Sequence, residues 1–358
     1  MTQPEQSLAK ILKTGARALA GYAAGEMPPR DPGAAEATAP LPFDGWHNVL
    51  TARIEELAVA ISKGRPELFV EQVRWTRAAL QARGISPGLL QARLEVLRRI
   101  LVEQIPAELA PLATAYIDDA LAKFDGEPAG LMSRLTAETP EQQLAAKYLV
   151  AILEGDRREA SRLILNAAAE GRSVCDLYLR VLQPAQEELG RMWSLDEINV
   201  AEEHFATTTT RWVMTQLHAR AVCGHSNGKT LVAASVAGNQ HDLGIQMVAD
   251  LFEMDGWRVI QLGSNVPAKD LAQAVEFYQA DLVALSISLA AQLPDLEGVI
   301  SAVRTSGRGA AVKILVGGCG IEGIAARFKL AGVDGFASNA VEAVSQGNAL
   351  VGLNGIVG

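Results

Sequence analysis

The chain has 358 residues, 49% of them hydrophobic and 20% charged, and its formal net charge is −9. These values are typical of a globular chain of two or three domains, and the acidic balance argues against nucleic-acid binding, which needs a basic face. No apolar run approaches the roughly 20 residues of a membrane span, the first residues lack a signal-peptide pattern, and the three cysteines form no metal motif. We therefore expect a cytoplasmic protein without a membrane contact.

The N-terminal third is predicted to be helical after a flexible start. Residues 1–44 are predicted to be a flexible segment and linker, with a short helix over 5–24 and then a stretch rich in Pro, Gly and Ala. Helical periodicity with Pro at or near the helix starts then predicts an antiparallel four-helix bundle over 45–126. Ten basic and ten acidic side chains balance within 45–125. A neutral bundle is a poor DNA-binding domain, so we assign it to signalling or oligomerisation.

A second helical region is predicted over 140–224. Thr139, Pro140 and Gln142 have the spacing of a capping box with Pro at the first helical position. Helical segments follow at 140–154, 156–170, 173–193 and 199–222. Four consecutive helices with short connections predict a second four-helix bundle.

The hydrophobic period changes at Thr230. Five short β-rich runs alternate with helical segments through 228–358, which predicts a parallel five-stranded sheet of the doubly wound, flavodoxin- or Rossmann-like type. The predicted fold class is therefore multidomain α and α/β, with two helical bundles before the sheet. Ligands of such sheets bind outside the carboxyl ends of the strands. These ends are predicted at Ala237, Gly263, Ser288, Gly317 and Ser338.

His241 lies between Gly238 and Gly244, in the loop after the first predicted strand. A phosphate loop is disfavoured because the Lys-Ser/Thr of a Walker loop and the three-glycine dinucleotide pattern are absent. A zinc site is disfavoured because no other Cys or His has metal-ligand spacing to it. Two interpretations stay open at this point: a solvated or capping loop histidine, and a single imidazole ligand to a metal that a cofactor carries.

Four motifs in this region, over residues 228–345, resemble those of cobalamin-binding domains. "NQHDLG" resembles the Asp-x-His-x-x-Gly signature, and "LGSNVP" resembles the Leu-Gly-x-x-x-Pro turn. "LSIS" stands where the family has Ser-x-Leu, and "VGG" matches its Gly-Gly. The residues that carry the resemblance are Asn239, His241, Gly244, Gly263, Ser286, Ser288, Gly317 and Gly318.

The resemblance implies a role for each motif. In that family the histidine is the lower axial ligand of cobalt, so His241 would be the metal ligand, Ser286 would bond the base of the nucleotide tail, and the paired glycines would clear space for that tail. Two positions depart, since Asn239 replaces the usual Asp and Ser288 replaces Leu. A neutral amide can accept a hydrogen bond from the imidazole but adds no charge. We therefore expect a sensor or holder of cobalamin rather than a protein that cycles cobalt between oxidation states.

A second group of candidate residues precedes the sheet. A helix is predicted to end near Trp193, and Asn199 with Glu202 is predicted to cap the next. Glu203 and His204 then fall at the same corner as the tryptophan. The residues alone allow two interpretations: a core Trp beside an acidic capping turn, or an aromatic lid with two polar groups that face a shared cavity.

The spacing Trp193-x9-Glu203-His204 resembles that of adenosylcobalamin-dependent light sensors of the CarH type, in which a helical bundle caps the cobalamin domain. The resemblance implies that Trp193 covers the adenosyl group, that Glu203 bonds its ribose and that His204 supports the pocket. In those sensors a His directly follows the Trp and ligates cobalt after photolysis. Here the residue is Ser194, whose hydroxyl cannot supply a strong nitrogen donor. Their DNA-binding domain is replaced here by the 45–126 bundle.

The resemblance implies a cobalamin-binding sensor or photoreceptor, not an enzyme, in which light cleaves the Co–C bond of adenosylcobalamin. Its output would be a partner protein or its own oligomeric state, with no nucleic acid and no membrane involved. A corrinoid methyl carrier of a methyltransferase system and a mutase subunit are the enzymatic alternatives. A methyl carrier would favour Asp at position 239 and has no need of Trp193 and Glu203. A plain interaction module without a cofactor is the third possibility.

Overall fold

The protein is described by a computed structural model that covers residues 3–27, 43–82, 85–127, 133, 135–136, 138–221, 223–321 and 330–353. The chain divides into two compact units. One comprises Met1–Met132 with Arg191–Ile198, and the other comprises Ser133–Gly190 with Asn199–Gly358. None of the described helices combines the length and apolar character that a membrane span requires.

The described part of the first unit is a helical bundle. Ser86 caps the fourth helix by accepting a hydrogen bond from the Gly88 N–H at 3.3 Å, and Pro87 occupies its first turn. Both features are typical of helix starts. One continuous apolar core, which includes the fully buried Leu12 and Phe69, holds the helices together. The helices are α1 Gln3–Gly25, α2 Phe43–Lys63, α3 Pro66–Ala82, α4 Pro87–Gln104 and α5 Ala110–Ala122.

The helix predicted over 5–24 is present as α1, but it packs in the core of this bundle, whereas residues 1–44 were predicted to be a flexible segment and linker. Leu8, Leu12 and Leu19 recur at helical spacing on α1 and are buried in the same core as Leu50 and Ile54 of α2. An apolar stripe of this kind is stable only when another element covers it. The described bundle therefore has five helices, where four were predicted. The proline-rich residues 28–42 lie outside the described residues.

The second unit begins with the helices predicted over 140–224. Thr139 and Gln142 form the predicted capping box at the first of them, and Asn199 and Glu202 form another at the last. The segment predicted as one helix over 173–193 is continuous but contains a π-helical stretch, Tyr178–Leu182. The helices are α6 Pro140–Leu153, α7 Arg157–Ala169, α8 Val174–Leu177, α9 Gln183–Ser194, which continues into the first unit, and α10 Val200–His218.

A parallel sheet in the order β2-β1-β3-β4-β5 follows, which confirms the flavodoxin-like prediction. Its strands are β1 Thr230–Val236, β2 Arg258–Val266, β3 Leu282–Ser286, β4 Lys313–Gly317 and β5 Gly335–Ala337. Its helices are α11 Leu243–Met254, α12 Ala268–Phe277, α13 Leu293–Thr305 and α14 Ala340–Leu350. The first strand is buried along its whole length, as expected for a central strand of such a sheet.

Two strand ends differ from prediction by more than one residue. β2 continues past Gly263 to Val266, because a bulge opposite Ala233 and Ala234 of β1 interrupts its register without ending it. β3 ends at Ser286, two residues before the predicted Ser288. Both differences lie at the carboxyl edge of the sheet, where local chain geometry depends on the neighbouring strands.

Candidate functional site

The loop that carries His241 lies at the switch point of the sheet. It leaves β1, whose neighbours are β2 and β3, and ligands of open α/β sheets bind at such a point. The loop is held from both sides. The Gly238 N–H donates to Asn265 Oδ1, near the end of β2, at 2.8 Å, and Gln292 Nε2 donates to the Gly238 carbonyl at 3.2 Å. Gly238 has φ of 77°, a conformation that favours glycine. The loop therefore has a defined shape.

Asn239 orients His241 by direct contact. The Asn239 side chain is fully buried; its Oδ1 accepts the His241 backbone N–H at 3.1 Å and lies 3.4 Å from the imidazole Nδ1. Its Nδ2 donates to the Ser286 carbonyl at 3.2 Å. The imidazole itself is exposed. With Nδ1 directed to the amide, Nε2 is the nitrogen that can ligate a metal.

Ser286 and Ser288 follow Asn239 around the edge of the sheet. Ser286 is the last residue of β3 and is partly exposed, and its carbonyl accepts the hydrogen bond from Asn239 Nδ2. The Ser288 N–H donates to Gln292 Oε1 at 2.9 Å, and that glutamine also holds the Gly238 loop. The structure thus joins two of the predicted motifs through hydrogen bonds between side chains and the main chain. Recognition of a nucleotide base by the Ser286 hydroxyl stays a prediction.

Gly317 and Gly318 lie where two stretches of backbone approach closely. A methyl group at Gly317 would come 2.8 Å from the Ala337 carbonyl oxygen, and one at Gly318 would come 2.2 Å from that of Ile287. Gly318 also has φ of 98°. The packing of the sheet edge therefore requires both glycines by itself. Their predicted role in making room for a cofactor tail remains a prediction.

Gly244 and Gly263 differ from that pair. Gly244 lies in the first turn of α11, and a methyl group there would meet no other described atom within 4 Å. Packing among the described residues therefore gives no reason for a glycine at this position, although glycine costs a helix roughly 1 kcal/mol relative to alanine. Gly263 has φ of 79°, and a side chain at that position would approach the Asp242 carboxylate. An exposed imidazole and, three residues later, a glycine with open space around it fit the close approach of a bulky cofactor.

Glu203 and His204 form a hydrogen-bonded pair in the first turn of α10. His204 Nδ1 lies 2.7 Å from Glu203 Oε2, and the Thr207 hydroxyl donates to Glu203 Oε1 at 2.7 Å. The His204 side chain is 75% exposed. Trp193 is in the last turn of α9 and is 44% exposed, within the segment that belongs to the first unit. The placement of Trp193 and Ser194 over the cofactor therefore stays a prediction.

Arg211 and Asp242 were missed by the sequence analysis. The Arg211 guanidinium donates to both carboxylate oxygens of Asp242, at 3.0 and 2.7 Å, and Asp242 directly follows His241. The signal in the sequence was weak, because Asp242 occupies an unspecified position of the histidine motif. Arg211 lies 31 residues earlier, on a different element.

The comparisons with known proteins define the class. Residues 229–345 match the family model of the B12 binding domain, and residues 144–218 match a second model of the same description. Together the two matches cover more than half of the chain, the helices α6 to α10 as well as the sheet. The chain belongs to the B12-binding-domain proteins, which confirms both the resemblance and the predicted fold.

Its relatives include a regulator and corrinoid proteins. The chain is 27% identical over 215 residues to the HTH-type transcriptional repressor CarH of Myxococcus xanthus, covering 60% of this chain and 69% of that protein. It is 30% identical over 121 residues to dimethylamine corrinoid protein 1 of Methanosarcina acetivorans, covering 34% and 56%. It is 25% identical over 207 residues to a corrinoid protein of Desulfitobacterium hafniense, covering 56% and 94%.

Proposed function

We propose that this chain is a cobalamin-dependent sensor that binds adenosylcobalamin, responds to light, and regulates a partner protein or its own oligomeric state. The observation that carries the proposal is the exposed His241 imidazole, which a buried Asn239 holds by its Nδ1 side at the switch point of a B12 binding domain. His241 Nε2 would be the lower axial ligand of cobalt. Light-sensitive cleavage of the Co–C bond is the chemistry that adenosylcobalamin supplies when bound.

The lower side of the site favours holding cobalamin over redox cycling. Asn239 Oδ1 accepts a hydrogen bond from the imidazole Nδ1 but carries no negative charge. It therefore fixes the orientation of the ring while adding little to the basicity of the imidazole. Its Nδ2 is engaged with the Ser286 carbonyl, which locks the amide orientation. A sensor needs a fixed ligand of constant strength, and this arrangement supplies one.

The adenosyl and light-dependent parts of the proposal are supported by residues that precede the sheet in the sequence. Trp193, Glu203 and His204 have the spacing found in light sensors of the CarH type, and the similarity to the repressor CarH spans 215 residues. Thr207 and His204 hold both oxygens of the Glu203 carboxylate, so the acidic group is oriented before any ligand arrives. Ser194 cannot act as a nitrogen ligand, and the state after illumination is therefore proposed to differ from that of those sensors.

The output is proposed to pass through the N-terminal bundle in the cytoplasm. This bundle has a continuous apolar core, and its ten basic and ten acidic side chains over 45–125 balance, unlike the basic face of a DNA-binding domain. A regulator with this domain would act on a protein partner or on itself, without an enzymatic step of its own.

The test is reconstitution of the full chain with adenosylcobalamin in darkness. We expect an absorption spectrum typical of base-off, histidine-on cobalamin, its loss in His241→Ala, and a change in mass by light scattering after green light. An unchanged His241→Ala spectrum would refute the ligand assignment. Unchanged mass together with unchanged binding of proteins that co-purify with the dark form would refute the light-driven output, whereas bleaching alone decides nothing because the free cofactor also photolyses.

A corrinoid methyl carrier is the second candidate function. The similarity to dimethylamine corrinoid protein 1 and to the Desulfitobacterium corrinoid protein favours it. The discriminating measurement is a competition between methylcobalamin and adenosylcobalamin for the apoprotein. A preference for methylcobalamin would favour the carrier, and a preference for adenosylcobalamin would favour the sensor.

A further inference from the structure

Helix α10 is tied to the histidine loop by a paired charge contact. The Arg211 guanidinium donates two roughly parallel hydrogen bonds to Asp242, at 3.0 and 2.7 Å. The Asp242 side chain is 11% exposed and that of Arg211 is 42% exposed. Bidentate pairs of this kind fix orientation as well as distance. Both residues belong to the second unit, so the contact joins α10 to the start of α11 within one compact body.

Asp242 has no other evident structural task among the described residues. It stands at the N-cap position of α11, yet its side chain makes no capping hydrogen bond to the helix. Aspartate at this position ordinarily accepts from the first-turn amides. Here the carboxylate instead accepts hydrogen bonds from the guanidinium of Arg211.

The backbone of His241 is held at both its N–H and its carbonyl. Asn239 Oδ1 accepts the His241 N–H at 3.1 Å, and the Ser235 hydroxyl donates to the His241 carbonyl at 2.9 Å. The next residue, Asp242, is held by Arg211. Two of these contacts come from the sheet domain and one comes from α10. The position of the imidazole therefore depends on where α10 lies.

A second polar contact joins the same two helices further along. On α10, His218 Nε2 lies 3.2 Å from Glu253 Oε2 and His218 Nδ1 lies 3.8 Å from Asp250 Oδ1, and both acidic residues are on α11. Arg211 precedes His218 on α10 by about two turns, and Asp242 precedes Asp250 on α11 by about two turns. Sliding of α10 along α11 would therefore break both the Arg211 contact and the His218 contacts.

We propose that Arg211 is a positioning residue for the axial ligand: through Asp242 it couples the placement of α10 to the strength of the His241–cobalt bond. The inference rests on the proposed cobalamin site but not on light or on the adenosyl group. Through this coupling, a movement of α10 would change the ligation of cobalt by His241, and a change in that ligation would act on α10. Glu203 and His204 lie on the same helix α10, so a ligand that moves them acts on Arg211 as well.

The test compares Arg211→Gln, Arg211→Lys, Asp242→Asn and the double variant Arg211→Gln/Asp242→Asn, each loaded with cob(II)alamin. Electron paramagnetic resonance reports nitrogen ligation directly, because the axial nitrogen splits the cobalt lines. We expect cobalamin affinity to fall about 10- to 100-fold in Arg211→Gln, with a larger histidine-off fraction. Arg211→Lys should recover part of the loss, since it restores the charge but not the paired geometry. The double variant should be no worse than the poorer single variant.

Arg162→Gln is the matched control, since Arg162 pairs with Glu159 within α7 and does not contact the histidine loop. Thermal unfolding of each apoprotein identifies variants that have lost the fold, and Arg211→Lys serves where Arg211→Gln fails to fold. An unchanged histidine-on fraction in Arg211→Gln, or additive effects in the double variant, would overturn the proposal. Wild-type protein that binds no cobalamin would overturn the proposed function itself, a distinct result that appears before any variant is made.

Discussion

The Tyr178 hydroxyl donates a 2.7 Å hydrogen bond to Asp250, which joins the π-helical segment of the helical bundle to α11 of the sheet domain. The tyrosine is fully buried, and Asp250 is buried as well. A π-helical turn shifts the following side chains by one position, and such turns are frequent at functional sites. Here the turn places a phenol against the helix that begins beside the candidate metal ligand.

Tyr178→Phe should destabilise the protein more than Tyr148→Phe. Removing the Tyr178 hydroxyl leaves the buried Asp250 carboxyl without that donor, which costs roughly 1–3 kcal/mol. Tyr148 is the control because it is equally buried but bonds a neutral partner, Thr210, at 2.8 Å. Urea unfolding of the two apoproteins measures the difference in the free energy of unfolding. An equal or smaller loss in Tyr178→Phe would show that the Asp250 contact contributes little.

Asp250→Asn should change how stability depends on pH. Burial raises the pKa of Asp250, while the Tyr178 hydrogen bond and nearby His218 lower it, and Glu253 raises it further. A raised carboxyl pKa means that the folded chain binds a proton that the unfolded chain releases. The contribution of Asp250 to the free energy of unfolding therefore falls as the pH rises from the pKa of this group in the unfolded chain through its pKa in the folded chain.

The measurement is the melting temperature of wild type and Asp250→Asn from pH 4 to pH 8. The variant keeps a hydrogen-bond acceptor for Tyr178 but has no titrating group at position 250. Its melting temperature relative to that of wild type should therefore rise with pH. The substitution Asp295→Asn, at an exposed position on α13, is the control for removal of one acidic side chain. A difference between wild type and Asp250→Asn that is constant across this range would contradict the expectation.

Asn239→Asp should destabilise the apoprotein although it restores the residue usual in the family. Asn239 Nδ2 donates to the Ser286 carbonyl, and a carboxylate at that buried position would face this carbonyl without a proton to donate. We expect a loss of roughly 1–3 kcal/mol, as for other unsatisfied buried groups. Asn339→Asp is the control because Asn339 caps α14 at the surface, where Asp caps equally well. Matching melting temperatures for the two variants would contradict this account.

Alanine substitutions should separate the glycines of the site into two kinds. Gly318→Ala should destabilise the apoprotein, since its methyl group would lie 2.2 Å from the Ile287 carbonyl oxygen and its φ is 98°. Gly244→Ala should leave the apoprotein as stable or stabilise it by up to about 1 kcal/mol, because alanine favours the helix. It should nevertheless weaken cobalamin binding by filling the open space at the first turn of α11.

Melting temperatures of the apoproteins and absorption titrations with hydroxocobalamin measure both effects. Gly298→Ala, on α13 with no other atom near the new methyl group, is the control for a helical glycine far from the site. Unchanged affinity in Gly244→Ala would mean that the cofactor does not approach this turn.

The sequence by itself determined the elements and the class. The capping boxes at Thr139 and Asn199 formed as predicted, because their partners lie three residues away. The alternation of strands and helices after Thr230 determined the sheet order, since doubly wound connections allow few topologies. The motif around His241 was sufficient to indicate a cobalamin-binding domain.

Only the tertiary structure decided which distant residues meet. Arg211 and Asp242, Tyr178 and Asp250, and α1 with the core of its bundle are separated along the chain by tens of residues. No local pattern specifies such pairs, because they depend on how helices pack once each has buried its own apolar stripe. The sequence thus determined which residue supplies the imidazole and at which edge of the sheet that residue lies. Its connection to α10 became visible only when the folded chain brought a guanidinium against the residue that follows it.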